Sequence, residues 1–259
     1  MATPTVLALD FDGVICDGMR EYFKSAWHAY RRLRPSASPE PPAGLFEIFA
    51  RLRPVVETGW EMPTLLHAVL RGAAEAEILA GWRPDQWLGD LGSPREVVAA
   101  ALDGARDEWI AGDEAGWLAA HRFYPGVIEQ LRSQAGGPVR VYVITTKGER
   151  FARKLLEGQG VALPPSHVYG KEARRPKRAI LRELAAGDED AGVWFVEDRL
   201  QTLQDVKAEP ALARARLFLA AWGYNTPEER AAAGGDDRIA LLPLERFAED
   251  FRSWPTSPR

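Results

Sequence analysis

The stretch "VLALDFDGVIC", residues 6–16, decides how this chain is read. Val6 to Leu9 is an apolar run with no polar alternation, the pattern of a strand buried on both faces. It ends in Asp10-Phe11-Asp12-Gly13. Strand side chains alternate, so Asp10 and Asp12 are expected on one face and Phe11 on the other. Both carboxylates then point from the carboxyl end of a sheet, where open α/β sheets bind ligands. Gly13 lets the backbone turn and come close to a ligand. Two neighbouring carboxylates repel unless a cation or a proton sits between them. A solvated turn start is the plain structural alternative.

Further short β-rich runs lie at residues 139–144 (VRVYVI), 193–196 (VWFV) and 217–220 (LFLA), with shorter candidates at 167–169 and 239–242. Helical stretches alternate with them. Pro125 precedes "VIEQLRSQ", residues 149–157 run to a stop at Gly158, and Pro176 opens "KRAILRELAA". Strand and helix in alternation predict an α/β fold, a Rossmann-like parallel sheet wrapped by helices.

Residues 19–121 break that rhythm. They read as helical pieces cut by Pro and Gly, with a loop at "RPSASPEPPAG". This predicts an all-helical domain at 19–121, inserted after the first strand of a core made of residues 1–18 and 122–259. Six of the nine tryptophans fall in the insert. Large aromatics packing a small helical domain explain them better than a substrate pocket does. The tail "SWPTSPR" is expected to be loosely ordered.

Composition narrows the function classes. The formal charge of −4 over 259 residues gives no basic footprint for nucleic acid. No apolar run reaches the ~18 to 20 residues of a membrane span, and the N-terminus lacks the pattern of a signal peptide. Cys16 is the single cysteine, so no internal disulfide forms; a small buried hydrophobe is the expected role. These points predict a cytoplasmic protein without nucleic-acid or membrane partners; the oligomeric state is not legible. The four histidines have no metal-ligand spacing.

Three more stretches carry chemistry. In "VITTKGER", Thr145 and Thr146 end an internal strand, where a hydroxyl and helix-start N–H groups suit an anionic oxygen; simple helix capping is the alternative. In "YGKEARRPKRAIL", Lys171 and Lys177 flank a helix start and could neutralise a phosphate or a carboxylate. In "VWFVEDRLQTL", Glu197 and Asp198 follow a strand as Asp10 does, and such carboxylates can converge on one Mg²⁺.

Taken in order, Asp-x-Asp-Gly, strand-Thr, Lys and strand-Glu-Asp resemble the haloacid dehalogenase-like hydrolase superfamily, over residues 1–18 and 123–250. The insert stands where that superfamily often places a helical cap. The resemblance implies a Mg²⁺-dependent phosphatase acting on a small phosphorylated metabolite through an aspartyl-phosphate. Asp10 would be the nucleophile and Asp12 the general acid, then base. Thr145 would bind the phosphoryl group, with Gly13, Thr146 and Lys171 near the substrate. Lys177 would orient Asp10, with Lys171 as the alternative. Asp10, the Asp12 carbonyl, Asp198 and Glu197 would hold the metal. The acid common four residues after the last Asp is here Thr202. A sugar-phosphate mutase of the same superfamily and a non-catalytic binding protein on the same fold are the competing readings.

Overall fold

Strand β1 (Val6–Leu9) is fully buried, as its unbroken apolar run requires, because parallel neighbours lie on both sides of it. The computed structural model describes residues 3–134, 136–187 and 192–255. A two-residue antiparallel ladder follows β1, with β2 (Cys16–Asp17) paired to β3 (Arg122–Phe123). Then come β4 (Arg140–Ile144), β5 (Val168–Tyr169), β6 (Val193–Glu197), β7 (Arg216–Ala220) and β8 (Ile239–Leu242). The main sheet has the order β5-β4-β1-β6-β7-β8, and every pair in it is parallel.

The fold class read from the sequence is therefore observed, an α/β fold with a Rossmann-like parallel sheet. The chain builds outward from β1 to β4 and β5 on one side, then returns to lay β6, β7 and β8 on the other. The order reverses beside β1, so β1 and β6 flank a topological switch point, and their carboxyl ends frame a crevice. Apolar residues from β1, β4, β6 and β7 pack with Ile180, Leu181, Leu203 and Val206 of the crossing helices into one core.

The chain divides into two compact units, residues 1–17 with 122–259 and residues 18–121. The second unit is helical among its described elements, with long helices at Met19–Leu33, Glu61–Leu70 and Arg95–Gly112. Trp27 and Trp117 are buried in it, and the Trp27 indole donates to the Pro39 carbonyl at 3.2 Å. Two of its carboxylates are fully enclosed. Glu21 accepts from Ser25 and from two nitrogens of Arg106, and Glu61 accepts from Thr58 and the Trp82 indole.

The tail corrects one expectation. Residues 256–259 lie outside the described residues, but Trp254 is buried against Trp194, Phe218, Phe247 and Phe251. An indole that removes so much apolar surface from water anchors the segment that carries it. Among the described residues, no helix is long and apolar enough to cross a membrane.

Candidate active site

Asp10 lies one residue past the end of β1, and its N–H still donates to the Val196 carbonyl of β6 at 3.0 Å. Its side chain is nearly buried, at 7 % exposure. Asp12 does not share a strand face with it. The chain turns first: the Ile15 and Cys16 N–H groups donate to the Phe11 carbonyl at 2.9 Å, and Gly13 N–H donates to Cys16. Gly13 has φ +86°, so the turn rather than strand alternation directs the second carboxylate.

Lys177 opens the helix Lys177–Ala186, and its Nζ lies 2.9 Å from Asp10 Oδ1 and 2.7 Å from Glu197 Oε2. Of the two candidate lysines, Lys177 is the one in contact with Asp10. Lys177 stands against Asp10, whereas Lys171 is exposed in a single helical turn, Lys171–Ala173, on the preceding loop. Glu197 ends β6 fully buried. Its other oxygen accepts the N–H groups of Asp198 and Arg199, both at 3.2 Å. Asp198 Oδ2 accepts the Tyr224 N–H at 2.8 Å.

Ligand oxygens of Asp10, Glu197 and Asp198 lie within 4.8 Å of one another. Three buried carboxylates thus lie close together, and the Lys177 ammonium contacts two of them, Asp10 and Glu197. Burial and the charge of Glu197 push the Asp10 carboxyl up to about 7, against the pull of Lys177. Burial raises Glu197 as well, with Asp198 adding to it. Burial works against the Lys177 ammonium, but the Asp10 and Glu197 carboxylates hold it above its ordinary value. A hard divalent cation would relieve the repulsion, and an all-oxygen donor set suits Mg²⁺.

Two glycines make this acidic cluster possible. A Cβ on Gly13 would stand 2.0 Å from Asp198 Oδ2, and one on Gly223 would stand 2.2 Å from Asp198 Cβ. The segment 222–225 holds the far side. The Trp222 indole donates to the Val14 carbonyl at 3.1 Å, and Tyr224 OH donates to Asp17 at 2.7 Å. Asn225 Nδ2 bonds the Asp198 and Ala220 carbonyls. The residues that follow β7 thus brace Asp198, with Tyr224 and Asn225 buried.

The Asp12 carboxylate stands outside the three-acid cluster and accepts from Lys147 Nζ at 3.2 Å. Lys147 went unnoticed in the sequence. Its signal was its place directly after the strand-ending Thr145-Thr146 pair. Thr145 is buried, and its Oγ1 accepts the Lys147 N–H at 3.1 Å, while Thr146 is exposed. Cys16 is buried, and burial with nearby Asp12 pushes its thiol up, which leaves it a packing residue.

Comparison with known proteins bears on the fold. No family model matches the chain. A phosphoglycolate phosphatase of Rhodospirillum rubrum is 32 % identical over 145 residues, 53 % of this chain and 56 % of that protein. The chain thus spans about half the length of the curated relative it matches. Among solved structures, a predicted phosphatase from Clostridium acetobutylicum superposes with a TM-score of 0.58 at 14 % identity, covering 93 % of this chain and 94 % of that one. A haloacid dehalogenase-like family hydrolase from Streptococcus pneumoniae gives 0.55 at 14 % identity, over 93 % and 95 % of the two chains. A predicted phosphoglycolate phosphatase from Haemophilus somnus gives 0.57 at 13 % identity, over the same shares. The resemblance first carried by Asp10 to Gly13 is borne out: the chain has the fold of the haloacid dehalogenase-like hydrolases.

Proposed function

We propose that the protein is a phosphatase that hydrolyses a small phosphorylated metabolite through a phosphoryl group carried on Asp10, with Mg²⁺ as cofactor. The observation that carries this reading is the gathering of Asp10, Lys177, Glu197 and Asp198 at the switch point of the sheet, with Asp12 two residues on. A structural role alone explains poorly why three carboxylates are buried together with a lysine against two of them.

Both bonds that Asp10 receives from Phe11 N–H and Lys177 Nζ fall on Oδ1. Oδ2 is then the oxygen that attacks phosphorus as the bond to the ester oxygen breaks. Asp12, in its protonated form, gives its proton to that leaving oxygen, a contribution of typically ~10²- to 10⁴-fold. Water next attacks the phosphorus of the aspartyl-phosphate, Asp12 takes the proton, and Asp10 is regenerated with release of inorganic phosphate. A carboxylate nucleophile splits one slow displacement into two easier ones. Lys177 orients Asp10 and offsets charge, and Thr145 is placed to bond a phosphoryl oxygen. Asp10 and Asp198, with the Asp12 carbonyl, would hold Mg²⁺, which supplies charge stabilisation to the transferring phosphoryl group. Both Glu197 oxygens already have protein partners, so its main part is to balance Lys177. The helical unit is the proposed cap, which selects the substrate and limits water.

The test is Mg²⁺-dependent phosphate release from a panel of phosphorylated metabolites, wild type beside Asp10→Asn. Turnover that disappears with chelator and in the folded variant supports the reading. Turnover that survives Asp10→Asn sinks Asp10 as nucleophile.

A further inference from the structure

Tyr224 touches three separate places in the sheet unit, each with a different part of the residue. Its N–H donates to Asp198 Oδ2 at 2.8 Å. Its phenol O–H donates to Asp17 Oδ1 at 2.7 Å. Its ring lies against Gly13, so closely that a Cβ there would stand 3.0 Å from Tyr224 Cδ2. The residue is buried.

The two hydrogen bonds have different consequences. A cation ligand serves only while its oxygens stand in the right place, and Mg²⁺ tolerates little departure from octahedral geometry at ~2.0 to 2.1 Å. A group that bonds a ligand carboxylate from outside the metal site fixes its orientation. The Tyr224 N–H is such a group for Asp198. A backbone N–H, however, is only as well placed as the segment that carries it. The Trp222 indole ties one end of that segment to the Val14 carbonyl, and Asn225 Nδ2 ties the other to the Asp198 and Ala220 carbonyls. Between them the phenol O–H anchors the Tyr224 side chain on Asp17. A hydroxyl bonded to a carboxylate makes a short, charge-assisted bond, stronger than a neutral one. Asp17 ends β2 and is not among the three clustered acids.

We propose that Tyr224 is a positioning residue for the cation: its bond to Asp17 sets the place of the Asp198 carboxylate, so that Mg²⁺ affinity depends on an acid that does not hold the metal. The inference rests on the reading of Asp198 as a cation ligand and names what keeps that ligand in place. A bond that served the fold alone would add stability and leave Mg²⁺ affinity untouched.

The test is a double-mutant cycle on Mg²⁺ binding without substrate. The Mg²⁺ dissociation constant is taken from the rise in melting temperature of metal-stripped protein as Mg²⁺ is added. Tyr224→Phe, which removes one hydroxyl, and Asp17→Ala are each expected to raise that constant by about tenfold. The double variant is expected to raise it no further, because both changes break the same bond. Asp17→Asn keeps an acceptor oxygen and is expected to stay within about twofold of the wild type. An unchanged constant in Tyr224→Phe, or losses that multiply to about a hundredfold in the double variant, overturns the proposal. So does a loss in Asp17→Asn as large as that in Asp17→Ala, which would assign the effect to charge rather than to the bond. If Tyr224→Phe does not fold, the two Asp17 variants decide by the same criteria. Failure of the underlying cation reading has its own signature: Mg²⁺ then leaves the melting temperature of the wild type where it was, and the inference falls with it.

Discussion

Both units of this molecule bury carboxylates, and they do so in opposite ways. In the helical unit each enclosed acid is met by donors: Glu21 by Ser25 and Arg106, and Glu61 by Thr58 and Trp82. These are satisfied networks that brace helix against helix. At the carboxyl edge of the sheet, Asp10, Glu197 and Asp198 lie within 4.8 Å of one another, and Lys177 contacts the first two. The first arrangement is built for stability. The second is costly to fold and is the kind of arrangement a cation and a phosphoryl group would complete.

Substituting one acid from each region is the strongest way to break this contrast. Asp10→Asn should lower phosphate release by about 10³-fold or more while the protein stays folded. Glu21→Gln should do the reverse and destabilise by about 3 kcal/mol, because it strips one partner from a buried ion pair. Chemical denaturation and initial rates on the same two variants check both halves.

A smaller but sharp effect is expected at Gly13. In Gly13→Ala the new methyl would fall 2.0 Å from Asp198 Oδ2, in a backbone already at φ +86°. Asp198 must move, so activity should fall about 10²-fold and the Mg²⁺ concentration for half-maximal rate should rise. An unchanged Mg²⁺ dependence would remove Asp198 from the proposed cation site.

Next comes pH. The Asp10 carboxyl is raised from 3.8 to about 7 without a cation. The folded protein therefore keeps a proton that the unfolded chain loses, and stability is fully present below pH 3.8 and lost as pH rises through about 7. Metal-stripped protein should melt a few degrees lower at about pH 8 than at about pH 5, and Mg²⁺ should recover more at the higher pH. Asp10→Asn should flatten that slope. The smallest effect is at Lys147. Lys147→Met removes the partner of Asp12, and turnover of alkyl phosphates should drop about tenfold, less for aryl phosphates whose leaving oxygen needs little help. Equal losses on both ester types would separate Lys147 from the proton-transfer step.

The sheet was legible because buried parallel strands leave apolar runs, and three of them, β1, β4 and β6, lead into Asp10, Thr145 and the Glu197-Asp198 pair. Asp10, Lys177, Glu197 and Asp198 announced themselves as charges beside such runs or at a helix start. What stayed hidden depends on three dimensions. Lys147 follows two threonines as any helix-start lysine might, and only the turn at Gly13 brings Asp12 to it. The contact by which Tyr224 holds Asp198 joins residues 26 apart in the chain, a pairing that spacing does not reveal. Trp254 looked like part of a loose tail because its aromatic partners lie on distant strands and helices.

The most direct test of the account is acid quenching of the enzyme during turnover, followed by peptide mass analysis. The account predicts one phosphoryl group on the peptide that holds Asp10, on the Asp10 carboxylate itself, absent after Asp10→Asn. Steady turnover with that peptide unmodified, or a phosphoryl group on another residue, would contradict it.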